Sequence, residues 1–272
     1  MKPKVSVLLP IYQPQLLYLQ HAITSILQQS LTELELIIIE AASDISISQL
    51  LHALQDHRIL HLSYPRSPSL VGQLNYGLTQ AKAALVARMD GDDWSYPDRL
   101  LKQYLFLNDH PEITVAGCQL QIIDHRDCPL GYRKYPTDPI QTSRWLRRFN
   151  TLAHPGVMYR KQAILDAGGY IYDKYPANED YELWCRLAQK GYQLTSLDET
   201  LLQYRLHPHS MKSEKLKRIL RGTRQVKRHY FAETMTLGDW TRYYGEGVLL
   251  NLPGWMILKL FKIMNYRQES SS

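Results

Sequence analysis

The chain has 272 residues, of which 44% are hydrophobic and 21% charged, and it contains 14 glycines and 14 prolines. This composition is ordinary for a globular protein and excludes a fibrous repeat, a disordered chain and a small disulfide-stapled scaffold. The formal charge of +6 at pH 7 favours an anionic partner, such as nucleic acid, a phosphorylated molecule or an anionic lipid.

Short apolar runs and helical patterns alternate through the first hundred residues. The runs of strand length are 5–10, 34–39, 58–63 and 85–89, and the helical patterns are 16–27, 45–54 and 70–84. Strands that alternate with helices in this way form a parallel sheet covered on both faces. Such sheets bind ligands beyond the carboxyl ends of their strands, so segments 10–13, 40–44 and 90–93 are the first candidates for a site.

The middle of the chain continues this pattern less regularly. A helix is predicted from Pro97 to about Asn108 and a strand over 113–123, whereas the proline-containing segment 124–152 is expected to form loops over a substrate. Another helix is predicted over 177–190, because Gly191 follows at the position where helices often end in the left-handed conformation.

The cysteines and the N-terminal run bear on the cellular compartment. Cys118, Cys128 and Cys185 form no CxxC pair, and scattered cysteines in odd number indicate reduced thiols and a cytoplasmic location. The apolar N-terminal run is interrupted by Pro10 and is followed by no small-residue cleavage site. We therefore expect a buried first strand and not a signal peptide.

Three carboxylates follow the fourth predicted strand in the segment Met89-Asp90-Gly91-Asp92-Asp93. Neighbouring carboxylates repel one another unless a cation or several hydrogen-bond donors neutralise them, and Mg²⁺ and Mn²⁺ prefer such oxygen ligands. A solvated Asp/Gly turn is the alternative. An EF-hand does not fit, because the glycine stands in the second place and not the sixth.

A second acidic segment, Asn178-Glu179-Asp180, opens the helix predicted over 177–190. Acids in a first helical turn are favoured by the macrodipole, so capping alone would account for them, and a functional role is the alternative. Trp184 lies one turn beyond Asp180 on the same face. This indole would either belong to the core or offer a platform on which a sugar could stack.

In chain order, the segments VSVLLPIYQ, IIIEAASD, ARMDGDDWSYPDRL, HPGVMYRK, NEDYELWCRL and YRLHPHS resemble the inverting nucleotide-sugar glycosyltransferases of family 2. The match runs from about residue 4 to residue 211. It implies the GT-A fold, an α/β architecture with a Rossmann-like, mostly parallel sheet and helices on both faces. The expected domains are a GT-A domain over 1–211 and a basic, amphipathic, helical extension over 212–272.

The resemblance implies that a nucleotide-diphosphate donor binds beside the first, second and fourth strands. Pro10, Tyr12 and Glu40 would line the nucleoside pocket, and Asp90 would face the ribose and the diphosphate. Where the family usually has Asp-Asp-Gly-Ser, this chain has Glu40-Ala41-Ala42-Ser43. Because of this departure, the resemblance does not imply that the base is uracil, and it does not identify another base.

The resemblance also implies how the sugar would be transferred with inversion. Asp92, of the DXD motif, would bind Mn²⁺ or Mg²⁺, and His207 would approach the metal or the diphosphate. Asp180 would be the base that takes the proton of the acceptor hydroxyl, with Glu179 beside it and Trp184 on the acceptor side.

The C-terminal residues carry most of the basic excess. Eight Lys or Arg residues and one acid lie in 212–228, and the apolar segment 248–264 is too short and too interrupted to span a bilayer. These features predict an interfacial helix that contacts anionic lipid at the inner face of the membrane, near a lipid-linked acceptor. A helix packed against the catalytic domain is the alternative.

The sequence therefore predicts a cytoplasmic, metal-assisted inverting glycosyltransferase that builds a surface polysaccharide or a glycolipid. Its partners would be a nucleotide-sugar donor and a glycan or lipid-linked acceptor, without nucleic acid. The competing hypotheses are an inactive nucleotide-sugar-binding protein and a basic adaptor for membranes or nucleic acids, which would depend on 212–228.

Overall fold

In the computed structural model of the chain, residues 2–66, 68–171, 175, 177–206, 213–253 and 256 are described. The strands are β1 (Val5–Ile11), β2 (Leu34–Glu40), β3 (Ile59–Ser63), β4 (Leu85–Arg88), β5 (Trp94–Ser95), β6 (Ile113–Ile123), β7 (Pro129–Arg133), β8 (Met158–Arg160) and β9 (Gln193–Arg205). The helices are α1 (Leu16–Leu27), α2 (Ser48–Leu54), α3 (Leu70–Gln80), α4 (Arg99–Asp109), α5 (Pro139–Leu146), α6 (Lys161–Asp166), α7 (Glu179–Gln189), α8 (Ser213–Phe231) and α9 (Leu237–Leu249). A 3₁₀ turn, His154–Gly156, precedes β8.

The strands of the described residues form one curled sheet in the order β3-β2-β1-β4-β8-β6-β9-β5, and β7 pairs with β6. Strands β1 to β4 run parallel, β8 is antiparallel to both of its neighbours, and β6 runs parallel to β9. Because β8 reverses direction between β4 and β6, the ends of β4, β6 and β9 all lie at the same edge as the ends of β1 and β2. This edge carries the acidic segment that follows β4.

Both faces of the sheet are covered, as the sequence predicts. Successive side chains of a strand point to opposite faces. Val7 and Leu9 of β1 pack with Ile23 of α1 on one face, whereas Leu8 packs with Leu74 of α3 on the other. The mostly parallel α/β architecture predicted from the sequence is confirmed.

A polar network ends α3 four residues earlier than the helical pattern predicts. The Ser6 hydroxyl donates to Glu35 Oε1 at 2.6 Å, and the same carboxylate oxygen accepts from the Lys82 backbone N–H at 2.7 Å. Ser6 Oγ accepts from the Ala83 backbone N–H at 2.9 Å. These bonds draw the chain out of the helix and lead it into β4.

Segment 124–152 is more regular than the sequence predicts. It contains strand β7 and helix α5. The helix begins at Pro139, in the first turn where proline is tolerated, and the Asp138 side chain caps it by accepting from the Gln141 backbone N–H at 2.7 Å. The expectation that this segment forms only loops is therefore wrong.

The basic C-terminal stretch is helical, as predicted, and packs against the helix that follows it. Lys227 of α8 binds Glu246 of α9 at 2.6 Å, and the Arg224 guanidinium lies 4.4 Å from the centre of the Tyr243 ring. Among the described residues, no helix is both long and apolar enough to cross a membrane. Most of the predicted interfacial segment 248–264 lies outside the described residues.

The close approach of β6 to β9 gives a test of the packing. A Cβ at Gly117 would lie 2.6 Å from Ser196 Oγ and 2.9 Å from Leu152 Cδ2. We expect Gly117→Ala to lower the free energy of unfolding by about 1–3 kcal/mol, measured by urea denaturation. Gly245→Ala is the control, because a Cβ there meets nothing within 4 Å on α9 and should add about 0.5–1 kcal/mol. Equal stability of Gly117→Ala and the wild type would contradict this packing.

Candidate active site

The acidic segment at the end of β4 forms a cluster of oxygen ligands. One carboxylate oxygen from each of Asp90, Asp92 and Asp93 lies within 4.8 Å of the others. Asp93 is buried, and the other two are partly exposed. Arg88, the last residue of β4, is only 3% exposed, and its Nη1 lies 2.5 Å from Asp90 Oδ2. A buried arginine therefore pairs with one of the three carboxylates.

The charges of this cluster shift one another's pKa values. Burial alone would lower the pKa of Arg88, but the Asp90 carboxylate outweighs it and raises that pKa above its ordinary value. Burial, followed by the charges of Asp92 and Asp90, raises the pKa of Asp93 well above its usual range. The buried Oδ2 of Asp93 has no hydrogen-bond partner among the residues that the structure describes. An unsatisfied carboxylate oxygen beside two further carboxylates fits a divalent cation.

Arg205, the last residue of β9, holds this acidic loop in place. Its Nε donates to the Asp92 carbonyl at 2.8 Å, and its backbone N–H donates to Asp93 Oδ1 at 2.9 Å. Its Nη1 lies 2.6 Å from Asp127 Oδ1, and its guanidinium lies 4.3 Å from the centre of the Tyr18 ring. Arg205 belongs to the motif YRLHPHS, but nothing in its local sequence indicates this role.

The second acidic segment opens helix α7. Asp180 Oδ2 accepts from Asn150 Nδ2 at 2.7 Å, and Asp180 Oδ1 accepts from the Tyr181 backbone N–H at 2.7 Å. Burial raises the pKa of Asp180, although these two donors and the Arg88 charge oppose the rise. The sequence does not reveal this role of Asn150, because Asn150 lies in the irregular segment 124–152, far from Asp180 in the chain.

Glu179 connects the two acidic segments electrostatically. Burial and then the neighbouring Asp180 charge raise the pKa of Glu179 to about 7. The Arg88 charge lowers this pKa, and the Asp90 charge raises it. Charges at the end of β4 therefore act on the start of α7.

The residues predicted to bind the donor lie at the same edge of the sheet. Pro10 is buried within β1, and Tyr12 follows this strand with half of its surface exposed. Glu40 ends β2 beside Ile11, and its Oε2 lies 2.7 Å from Nε2 of His61 on β3. A nucleobase that approaches Glu40 would therefore meet a carboxylate that already has a partner.

Two of the predicted site residues do not join this arrangement. Trp184 is 0% exposed and packs in the core, edge-on to His154, so it has no face on which a sugar could stack. The prediction that it contacts the acceptor is wrong, because the helix face that carries Trp184 is buried. His207 lies outside the described residues.

His154, the first residue of the motif HPGVMYRK, is a structural residue. Its Nε2 lies 2.9 Å from the Tyr170 hydroxyl in the interior. Burial, assisted by the Arg88 charge, lowers the pKa of His154 well below its ordinary value. The ring is therefore neutral and packs against Tyr170 and Trp184.

Comparison with known proteins defines the class of this α/β fold and its acidic site. The family model "Glycosyl transferase family 2" matches residues 6–167. The chain is 32% identical to the O-antigen biosynthesis glycosyltransferase WbnJ of Escherichia coli over 203 residues, which are 73% of this chain and 78% of WbnJ. The chain belongs to glycosyltransferase family 2 and is a transferase, as the motifs predict.

Solved structures of low identity share the fold. Residues 1–349 of S. aureus TarS in complex with UDP align with a TM-score of 0.60 at 18% identity, over 91% of this chain and 81% of that TarS fragment. The mannosyltransferase PcManGT of Pyrobaculum calidifontis, in complex with GDP-Man and Mn²⁺, aligns with a TM-score of 0.64 at 16% identity, over 95% of this chain and 73% of PcManGT. The GT-A fold predicted from the sequence is confirmed.

The raised pKa of Glu179 predicts how stability depends on pH. Between pH 4.5 and about 7 the folded protein binds a proton at Glu179 that the unfolded chain releases. The free energy of unfolding of the wild type should therefore fall as the pH rises through this range. Glu179→Gln has no such proton, so its stability relative to the wild type should increase by about 2 kcal/mol from pH 4.5 to pH 8 in denaturation experiments.

Glu199→Gln is the control for this measurement, because Glu199 is exposed and binds Lys102 at the surface. Its stability relative to the wild type should stay nearly constant over the same range. A difference between Glu179→Gln and the wild type that does not change with pH would show that the pKa of Glu179 is ordinary.

Proposed function

We propose that this glycosyltransferase moves a sugar from a nucleotide-diphosphate donor to an acceptor hydroxyl with inversion, assisted by a divalent cation. One observation carries the proposal: the charge of the buried Arg88 acts on both acidic segments, on Asp90 and Asp93 after β4 and on Glu179 and Asp180 at the start of α7. An inverting transfer needs charge neutralisation on the leaving diphosphate and a base for the acceptor hydroxyl. The two segments supply one group of each kind.

Asp92, with Asp90 and Asp93 beside it, would hold Mn²⁺ or Mg²⁺. The three clustered carboxylate oxygens and the unsatisfied Asp93 Oδ2 support this, and PcManGT contains Mn²⁺. A bound cation supplies Lewis-acid neutralisation of the charge on the departing diphosphate. Arg205 would keep the ligands in place through the Asp92 carbonyl and the Asp93 carboxylate.

Asp180 would be the base. It must be ionised to accept a proton, and the hydrogen bonds from Asn150 and the Tyr181 backbone favour the ionised form. Asn150 also fixes the carboxylate so that one oxygen keeps its direction. Glu179 lies next to Asp180, and with its pKa near 7 it would be partly protonated at neutral pH and reduce the repulsion between the pair.

The donor would lie across the ends of β1, β2 and β4, against Pro10, Tyr12, Glu40 and Asp90. UDP and GDP-Man bind the two neighbours of known structure, which supports a nucleotide-diphosphate sugar and leaves the base open. The name of WbnJ supports a role in the synthesis of an O-antigen or a related surface polysaccharide. The acceptor would then be a glycan, in free or lipid-linked form.

The test is the release of nucleoside diphosphate from UDP-Glc, UDP-Gal, UDP-GlcNAc and GDP-Man, with Mn²⁺ or Mg²⁺. Asp180→Asn should lower kcat by about 10²–10⁴-fold and change donor affinity by less than threefold, because it removes only the base. Asp92→Ala should weaken Mn²⁺ binding, measured by calorimetry without donor, at least tenfold.

Glu199→Gln is the control and should keep wild-type values. Donor binding without turnover in the wild type, even with acceptor glycans present, would favour an inactive binding protein. Absence of binding for every donor would reject the proposal.

We further propose that the enzyme is cytoplasmic and contacts anionic lipid at the inner face of the membrane. Arg218, Arg221 and Arg228 are exposed on one face of α8. Three large apolar side chains of α9 are more than half exposed, namely Leu237, Tyr244 and Val248. Basic and apolar groups of this kind are typical of interfacial helices.

Flotation with phosphatidylglycerol vesicles tests this contact. Arg218→Glu/Arg221→Glu should lower the vesicle-bound fraction at least fivefold, because anionic lipid attracts the basic face. The matched control Lys82→Glu/Lys134→Glu changes the net charge equally at exposed lysines elsewhere and should bind like the wild type. Equal loss in both variants would show only an effect of net charge. Salt-sensitive binding to RNA instead of vesicles would favour the nucleic-acid adaptor.

A further inference from the structure

The Asn178 side chain, which directly precedes Glu179 and Asp180, is bonded to helix α8. Its Nδ2 donates to the Ile219 carbonyl at 3.0 Å, and its Oδ1 accepts from the Thr223 hydroxyl at 2.8 Å. The Asn178 side chain thus contacts one turn of α8 at both the amide nitrogen and the amide oxygen. Asn178 is only 4% exposed, so water competes little for these bonds.

Neither Asn178 nor Thr223 makes the side-chain hydrogen bond within its own helix that is common at its position. Asparagine at a helix N-cap commonly accepts from the first backbone N–H groups, but the Asn178 side chain makes no such capping bond to α7. A threonine within a helix commonly donates to the carbonyl four residues earlier, here Ile219, whereas the Thr223 hydroxyl donates to Asn178. The contact between the two helices therefore replaces two local contacts.

The backbone beside Asn178 is strained and needs such support. Ala177 has a φ of +60°, in the left-handed region that favours glycine. A residue held there is strained and persists only where neighbouring contacts fix it. The bonds of Asn178 to α8 lie one residue away and supply this fixation at the entry to α7.

A second contact aligns α8 with α7 farther along both helices. The Tyr230 hydroxyl donates to Glu182 Oε1, and Glu182 also binds Arg186 through both of its carboxylate oxygens, at 2.9 Å each. Arg186 in turn donates to the Gly169 carbonyl at 2.7 Å. Two contacts at different positions along the helix axes fix both the position and the rotation of α8 on α7.

We propose that α8 is part of the catalytic unit: through Thr223 and Asn178 it positions the Glu179-Asp180 pair. Thr223 and Asn178 are positioning residues, since they act through Asp180, and this role rests on the proposed function of Asp180 as the base. The boundary predicted between residues 211 and 212 would then divide the chain within its catalytic machinery. A displacement of about 1 Å at a catalytic group can cost a hundredfold in rate, so one hydrogen bond at this place has a measurable effect.

Hydrogen exchange tests the contact without any substrate. Thr223→Val removes the hydroxyl and keeps the shape, so amides of segment 177–183 should exchange about three- to tenfold faster, as expected for the loss of one hydrogen bond. Thr241→Val is the matched control, because the hydroxyl of Thr241 donates only within α9. Unchanged exchange in segment 177–183, or equal acceleration in both variants, would overturn the proposal.

Turnover then separates positioning from simple stability. With a donor that turns over, Thr223→Val should lower kcat about tenfold and change donor affinity by less than twofold, and Thr223→Ser should restore most of kcat. Added to Asp180→Asn, Thr223→Val should lower kcat no further, because both changes act on the same group. Faster exchange with wild-type kcat, or a further decrease in the double variant, would overturn the positioning role. If Asp180→Asn alone keeps the wild-type kcat, Asp180 is not the base. The hydrogen-exchange result then decides by itself whether Thr223 holds the start of α7.

Discussion

The arrangement of the site depends on the buried guanidinium of Arg88. Taking a charge out of water costs several kcal/mol, and this cost is offset only when opposite charges lie close. The Arg88 charge opposes the rise in pKa that burial causes at Asp93, Glu179 and Asp180. Its guanidinium also pairs directly with Asp90. The arginine in turn stabilises the carboxylates, because their negative charges would repel one another more strongly without it. One buried charge therefore acts on the end of β4 and on the start of α7.

Periodicity and motif spacing were sufficient for the fold. The alternation of apolar runs with helical patterns gave the first four strands, because residues buried on both faces of a sheet must be apolar throughout. The prediction was less accurate where polar side chains direct the chain, as where Glu35 and Ser6 end α3. It was wrong for Trp184, because spacing along a helix shows which residues share a face but not whether another layer covers that face.

The groups that support the candidate site were not predictable from local sequence. Arg205, Asn150 and Thr223 are ordinary polar residues in their own segments, and only their distant partners give them a role. The acidic segments could be found because several carboxylates stand together, which is unusual by itself. A single arginine or threonine that binds a residue far away in the chain leaves no such local pattern.

The position of Arg205 has a consequence for how this protein can diverge. The family model matches residues 6–167, whereas Arg205 reaches back from β9 to Tyr18, Asp92 and Asp127 in that first part. Residues 6–167 and the residues that follow them therefore cannot be recombined freely between relatives. A chimera that takes residues 6–167 from one relative and the following residues from another would inherit a matched acidic loop only if the arginine and its carbonyl, carboxylate and ring partners all came together. New members of the family would thus arise by substitutions within one chain more readily than by exchange of its two parts.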